Sequence, residues 1–284
     1  MGMPIARNLA NAGFTLRVWN RSPGHAQPLA EAGAEICKSP AEAARGADFL
    51  ITMLNEAATV LDCAAEAAPA LKPGSIWIQM STIGVEGIEL CQELAERSNV
   101  QLVDAPVLGT KAPAEQGKLV VLASGPRKAL NACDKVFDAV GSKTVTLGGV
   151  GDGTRCKLVA NNWLLGLTAV LGESIVLAES LGVDPRAFLE AIADGPVDSP
   201  YAHIKAENML ERDFSEPSFK LDLARKDAFL VLTEAEDAEL EVPILRAVAD
   251  HLDQASSQGY GDQDMSAMAA PQLGAEPAGV SATK

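Results

Sequence analysis

The chain has 284 residues and is 48% hydrophobic, enough for a sizeable core in one or two domains. Lys and Arg total 23 against 38 Asp and Glu, a formal charge of −15, which argues against nucleic acid or an anionic membrane as partner. Five scattered cysteines, Cys37, Cys63, Cys91, Cys133 and Cys156, with no C-x-x-C spacing, point to reduced thiols in a cytoplasmic protein rather than a disulfide framework.

From Met1 to about Leu147, β-rich runs alternate with Ala-rich amphipathic segments, the pattern of repeated βα units. The runs are 14–19, 49–54, 75–79, 100–103, 119–123 and 144–147, several apolar on both faces as buried parallel strands require. The fold class is therefore α/β, a Rossmann-type doubly wound parallel sheet. After Gly148-Gly149 the segments 152–181, 185–193, 219–236 and 242–252 carry helical spacing without strand signal, so an all-helical second domain follows. The expected division is 1–148 for nucleotide binding, 149–268 for substrate and dimer contacts, and a disordered Ala-, Gly- and Pro-rich tail over 269–284. The apolar run 163–171 is broken by Gly166 and Thr168 and is expected to be too short to cross a bilayer.

A doubly wound nucleotide domain opens with a strand and a Gly-rich turn whose last glycine starts the first helix. Here Met1-Gly2-Met3-Pro4 already reads as that helix, making Gly2 and Met3 candidate cofactor contacts and implying that the central first strand lies upstream. The first strand to be seen exits through Asn20-Arg21-Ser22, where an acid would hold a ribose hydroxyl. A guanidinium there suits a 2′-phosphate, so NADPH is expected over NADH. Met53, Leu54 and Asn55 either line the adenosine side or merely end a strand. Ser81 and Thr82 also follow a strand, where open sheets meet ligands, although from the residues alone the pair reads first as a cap of the next helix. Lys157 and Asn161, four apart on a helix, project from one face. A lysine with an ordinary pKa of about 10.4 needs burial or a nearby cation to exchange protons near neutrality. Arg155 and Lys226 are the candidate cations. The three histidines have no partners at ligand spacing, so no metal is expected.

Three segments together resemble the β-hydroxyacid dehydrogenase family, the 3-hydroxyisobutyrate dehydrogenase-like enzymes. They are D-A-P-V-L-G-T at 104–110 continuing through P-A-E-Q-G-K-L at 113–119, G-D-G-T-R-C-K-L-V-A-N-N at 151–162, and F-K-L-D-L-A-R-K-D at 219–227. Their order and separations match, and the similarity spans the chain except its tail. The resemblance implies an NADP(H)-dependent oxidoreductase interconverting a small carboxylate-bearing aldehyde or keto acid and its hydroxy acid. It implies Lys157 as general acid/base and Asn161 as its catalytic partner, Ser81 and Thr82 beside nicotinamide or substrate, and Gly109 and Thr110 as donors to a carboxylate. Lys226, with Asp227, would close on substrate and cofactor. Leu108 stands where the family often has Ser, removing one hydroxyl from the substrate loop, and the Pro113-Ala114-Glu115 continuation is more similar to glyoxylate and succinic-semialdehyde reductases. Alternatives are imine reduction on the same scaffold, which Lys157 disfavours, and a dinucleotide-binding module without turnover. The long apolar helix over 152–181 predicts a homodimer or homotetramer.

Overall fold

The computed structural model describes residues 1–277. These residues divide into two compact units, 1–158 and 159 onward.

The first unit holds parallel strands in three groups. Strands β1 (Arg17–Val18) and β2 (Glu35–Ile36) pair with each other, β3 (Phe49–Thr52), β4 (Ile76–Gln79) and β5 (Gln101–Asp104) form a second group, and β7 (Leu119–Ala123) pairs parallel with β8 (Gly141–Thr146). The short β6 (Val107–Leu108) runs antiparallel to β7. Between these strands run α1 (Gly2–Asn11), α2 (Pro23–Ala26), α3 (Pro40–Ala44), α4 (Ala57–Ala67), α5 (Gly84–Arg97), α6 (Lys111–Glu115) and α7 (Arg127–Val140).

Strand β4 explains the layering. Ile76 and Ile78 join the core that includes Ile5 and Leu9 of α1, while Trp77 turns to the core of Val60, Ile88 and Cys91. Alternate side chains thus bury on opposite faces, which requires helices on both. Strand β1 is shorter than the expected run 14–19, and β1 and β3 belong to separate groups. A cavity of about 420 Å³ is lined by residues of both strands and of α1.

The second unit is helical. Helix α8 (Asp152–Ser180) begins in the first unit and is followed by α9 (Pro185–Ile192), α10 (Pro200–Glu211), α11 (Leu221–Asp237), α12 (Pro243–Ala255) and α13 (Ala270–Leu273). Leu165 and Ile175 of α8 join Met209, Leu221, Leu252 and Tyr260 in one core. Beneath α10 lies a fully buried ion pair, Lys205 Nζ to Asp264 Oδ1 at 2.7 Å, with Ser218 and Ser266 completing its hydrogen bonds.

The compact units divide after Leu158, ten residues beyond Gly148, because the start of α8 is bonded to strand residues of the first unit. Two expectations need correction. The tail is ordered through residue 277: Ala269, Ala270 and Leu273 are buried, and Tyr260 Oη donates to the Ala275 carbonyl at 2.6 Å. Residues 278–284 lie outside the described residues. Finally, α8 is the one helix among the described residues long and apolar enough to cross a membrane, with a mean hydropathy of 1.4 over its apolar window. Thr168 does not interrupt it, since its hydroxyl donates to the Leu164 carbonyl at 2.9 Å. A third of its apolar window, 33%, is buried inside the structure, and Leu165 and Ile175 of the helix join the core of the second unit.

Candidate active site

In the first unit the expected cofactor residues gather at the carboxyl ends of the strands. A Cβ added at Gly2 would lie 3.7 Å from the Met53 carbonyl, so α1 begins against the end of β3. Met1 is the N-cap of α1 and no side chain caps it, leaving the first amides and the positive end of the helix dipole for an anion. Gly2, Met3, Asn20, Met53 and Leu54 all line the 420 Å³ cavity, whose lining includes Arg17 and His25 but no carboxylate. Arg21, Ser22 and Asn55 are exposed and outside that lining, and the Ser22 N–H donates to Asn20 Oδ1 at 2.9 Å. The lining is mostly apolar, including Ile5, Leu9, Phe49 and Ile51, so it is the end at Gly2, Asn20 and Met53, without negative charge, that suits an anionic dinucleotide.

Ser81 is buried and does not cap the following helix: its Oγ accepts from the Leu54 N–H at 2.8 Å, clipping the ends of β3 and β4 together. Gln79, also buried, donates to the Ser81 carbonyl and accepts from the Ser81 N–H. Thr82 is half-buried beside it. Leu108 ends β6, and Gly109 follows with φ +125, where a Cβ would approach Leu119 Cδ2 to 2.8 Å. Only glycine suits both the backbone and the space at that position. Thr110 is the N-cap of α6, and its side chain makes no cap bond.

Lys157, half-buried, stands on α8 in the last turn belonging to the first unit. Arg155, expected to depress its pKa, instead faces Glu89 at 3.5 Å and Asp152 at 3.7 Å in a solvent-exposed cluster. In the second unit, Asn161 is 1% exposed and its Nδ2 donates to Asp227 Oδ2 at 2.8 Å. Lys226 Nζ pairs with the other oxygen of Asp227 at 2.9 Å. Because Asp227 takes the amide N–H, the amide oxygen of Asn161 is fixed as an acceptor. It is the one buried side-chain polar atom without a partner among the described residues. Such an atom is costly unless a ligand supplies a donor.

Residue patterns alone missed the role of Asp104. Its buried carboxylate accepts from the Thr154 N–H at 2.7 Å and the Thr154 hydroxyl at 2.9 Å, and Ser124 Oγ accepts from the Gly153 N–H at 2.9 Å. The start of α8 is thereby bound to the ends of β5 and β7. Burial pushes the Asp104 carboxyl up to about 6, against the pull of the Thr154 and Ser124 hydrogen bonds. The available signal was a Gly-rich turn ending in Thr at the start of a helix, but its partner lies fifty residues away. Among the described residues no group of three or more metal-ligating side chains occurs.

Residues 1–149 match the family described as the NAD binding domain of 6-phosphogluconate dehydrogenase, and residues 151–272 match that described as the NAD-binding domain of NADP-dependent 3-hydroxyisobutyrate dehydrogenase. The chain is 31% identical over 271 residues to glyoxylate/succinic semialdehyde reductase 2, chloroplastic, of Arabidopsis thaliana, covering 94% of this chain and 75% of that one. It is 31% identical over 274 residues to L-threonate dehydrogenase of Cupriavidus necator, covering 94% and 91%. A Mycobacterium tuberculosis 3-hydroxyisobutyrate dehydrogenase structure with L-serine aligns over 95% of both chains with a TM-score of 0.86 at 27% identity. With both halves matched in order and the start of α1 shaped for an anion, the chain belongs to the β-hydroxyacid dehydrogenase family of nicotinamide-dependent oxidoreductases.

Proposed function

We propose that the protein interconverts a small carboxylate-bearing aldehyde or keto acid and its hydroxy acid, with NADP(H) as cofactor and Lys157 as the group that moves the proton. The single observation carrying this reading is the buried, unpartnered amide oxygen of Asn161, one helical turn from Lys157. An acceptor that cannot turn away from its position calls for a ligand bearing a donor, and the hydroxyl of a hydroxy acid is one. Asp227 holds the amide and Lys226 neutralises Asp227, so the pair keeps the acceptor aimed without leaving a buried charge alone.

A bound nicotinamide supplies or takes the hydride, two electrons at the carbon. The chain supplies the accompanying proton. In reduction Nζ of Lys157 gives a proton to the carbonyl oxygen and is recharged from water; in oxidation the neutral amine accepts the hydroxyl proton. Gly109 and Thr110 carry backbone and hydroxyl donors suited to the substrate carboxylate, while the Leu108 side chain offers no hydroxyl. The preference for NADP(H) rests on Arg21 with Asn20 and Ser22 after β1 and on a cavity lining without carboxylates. The exposed apolar stripe of α8 is read as the face that a second copy covers.

The test is consumption of NADPH, followed by absorbance, with glyoxylate and succinic semialdehyde as probes. Turnover is expected, and Asn161→Ala is expected to lower kcat/KM at least about tenfold while the cofactor still binds. Binding of NADPH with no consumption of either probe or of other short aldehydes would leave a dinucleotide-binding module and overturn the reading.

A further inference from the structure

We infer that Asp104 is a positioning residue for Lys157, its carboxylate and the Ser124 hydroxyl together setting where the first turn of α8 begins and hence where the lysine one turn later stands. The inference rests on the reading of Lys157 as the proton carrier.

The junction is built from both directions. Asp104 and Ser124 exchange backbone hydrogen bonds, Asp104 N–H to Ser124 oxygen at 3.0 Å and Ser124 N–H to Asp104 oxygen at 2.8 Å, which joins β5 to β7. From that same bridge the side chains turn to the helix and take the N–H groups of Gly153 and Thr154, two of the four that an α-helix leaves without internal partners. A carboxylate there also meets the positive end of a 29-residue helix. The approach is close enough that a Cβ at Gly153 would collide with the Leu122 carbonyl and lie 3.0 Å from the Asp104 carbonyl. Lys157 lies three positions after Thr154 within one continuous helix, so a displacement at the anchor is delivered to the lysine nearly undiminished.

The junction has a charge state of its own. Other titratable groups around it are Cys91 of α5, whose thiol burial and the Asp104 carboxylate push up to about 12, and Asp152 and Arg155 of α8 with Glu89 of α5, which pair among themselves. Asp104, pushed up to about 6 by burial, takes up its proton within the range of enzyme assays. Proton uptake weakens the acceptor that holds Thr154. It also favours the folded state, because a carboxyl at about 6 when folded and near 3.8 when unfolded binds more protons folded between those values. Acid therefore separates positioning from stability: the rate falls while this group's contribution to stability rises.

The experiment measures kcat and KM for NADPH-dependent reduction of succinic semialdehyde between pH 5 and 8, with NADPH titrations and melting curves, for the wild type, Asp104→Asn, Thr154→Val and Lys157→Met. Asp104→Asn is expected to lower kcat about 10²-fold, with KM and NADPH affinity within about threefold, and to abolish the acid limb near pH 6. Thr154→Val, which keeps the backbone bond, is expected to lower kcat about tenfold and serves as the deciding variant if Asp104→Asn does not fold. A folded Asp104→Asn, or failing that Thr154→Val, with wild-type kcat and an unchanged acid limb overturns the inference even where Lys157→Met abolishes turnover. Wild-type turnover by Lys157→Met overturns the reading of the lysine, and the inference with it.

Discussion

A buried amide oxygen with nothing to accept is the least expected feature of position 161, since Asn161 is held so firmly by Asp227 that it cannot rotate to relieve it. An unsatisfied buried polar atom costs on the order of 1–3 kcal/mol, and a donor on a ligand offsets that cost. The same reasoning applies with opposite sign at position 21. Arg21 is exposed after β1, where a guanidinium gains little until a phosphate dianion approaches. Replacing it tests cofactor choice at a single side chain: Arg21→Ala is expected to weaken NADPH binding about tenfold and leave NADH binding within about twofold, read by fluorescence titration at fixed ionic strength. Equal loss for both cofactors would assign Arg21 to the fold rather than to the 2′-phosphate.

Helix α8 carries the most information of any element. One face supplies Leu165 and Ile175 to the core of the second unit, and another leaves Val159, Trp163, Val170 and Leu177 exposed, Trp163 by 72%. At 100° per residue these four fall within about 40° of one another, a single stripe along the helix. If a second copy covers it, sedimentation should give a dimer, and Trp163→Asp should weaken that dimer by more than about 30-fold without lowering the melting temperature of the monomer. A wild-type monomer at micromolar concentration would count against the stripe as a subunit face. The four-residue spacing of Lys157 and Asn161 on this helix was legible because i, i+4 is a local relation. Its anchoring was not, because Asp104 and Thr154 are fifty positions apart and only the β5–β7 junction brings them together. Composition misled over 269–277 for a physical reason: alanines signal no periodicity, yet Ala269 and Ala270 bury with almost no loss of side-chain entropy. Lys205 carries no local signal of its burial, since a helical lysine is ordinarily solvated and its partner Asp264 lies 59 residues on.

At the scale of the molecule, the alternation of strands and helices, then helices alone, was readable because hydrophobic period reports which faces bury. What period does not report is where a unit ends: the first turns of α8 belong with the strands that bind them, ten residues beyond the glycines that mark the change of texture. Overall charge was an equally coarse guide. The chain carries −15, yet the cavity beside Gly2 has no carboxylate in its lining and includes Arg17 and His25. Binding an anion depends on that local field and on the bare amides of α1 rather than on the sum over the surface. The proposed function assigns two tasks to different parts of the chain, cofactor recognition to the strand ends of the first unit and proton transfer to α8. The measurement that separates them most directly is a single-turnover experiment on Lys157→Met, mixing the NADPH-loaded variant with succinic semialdehyde and following nicotinamide absorbance. NADPH affinity is expected within about twofold of wild type and hydride transfer slowed by about 10²–10⁴-fold. Transfer at the wild-type rate from the loaded variant would contradict Lys157 as the proton carrier.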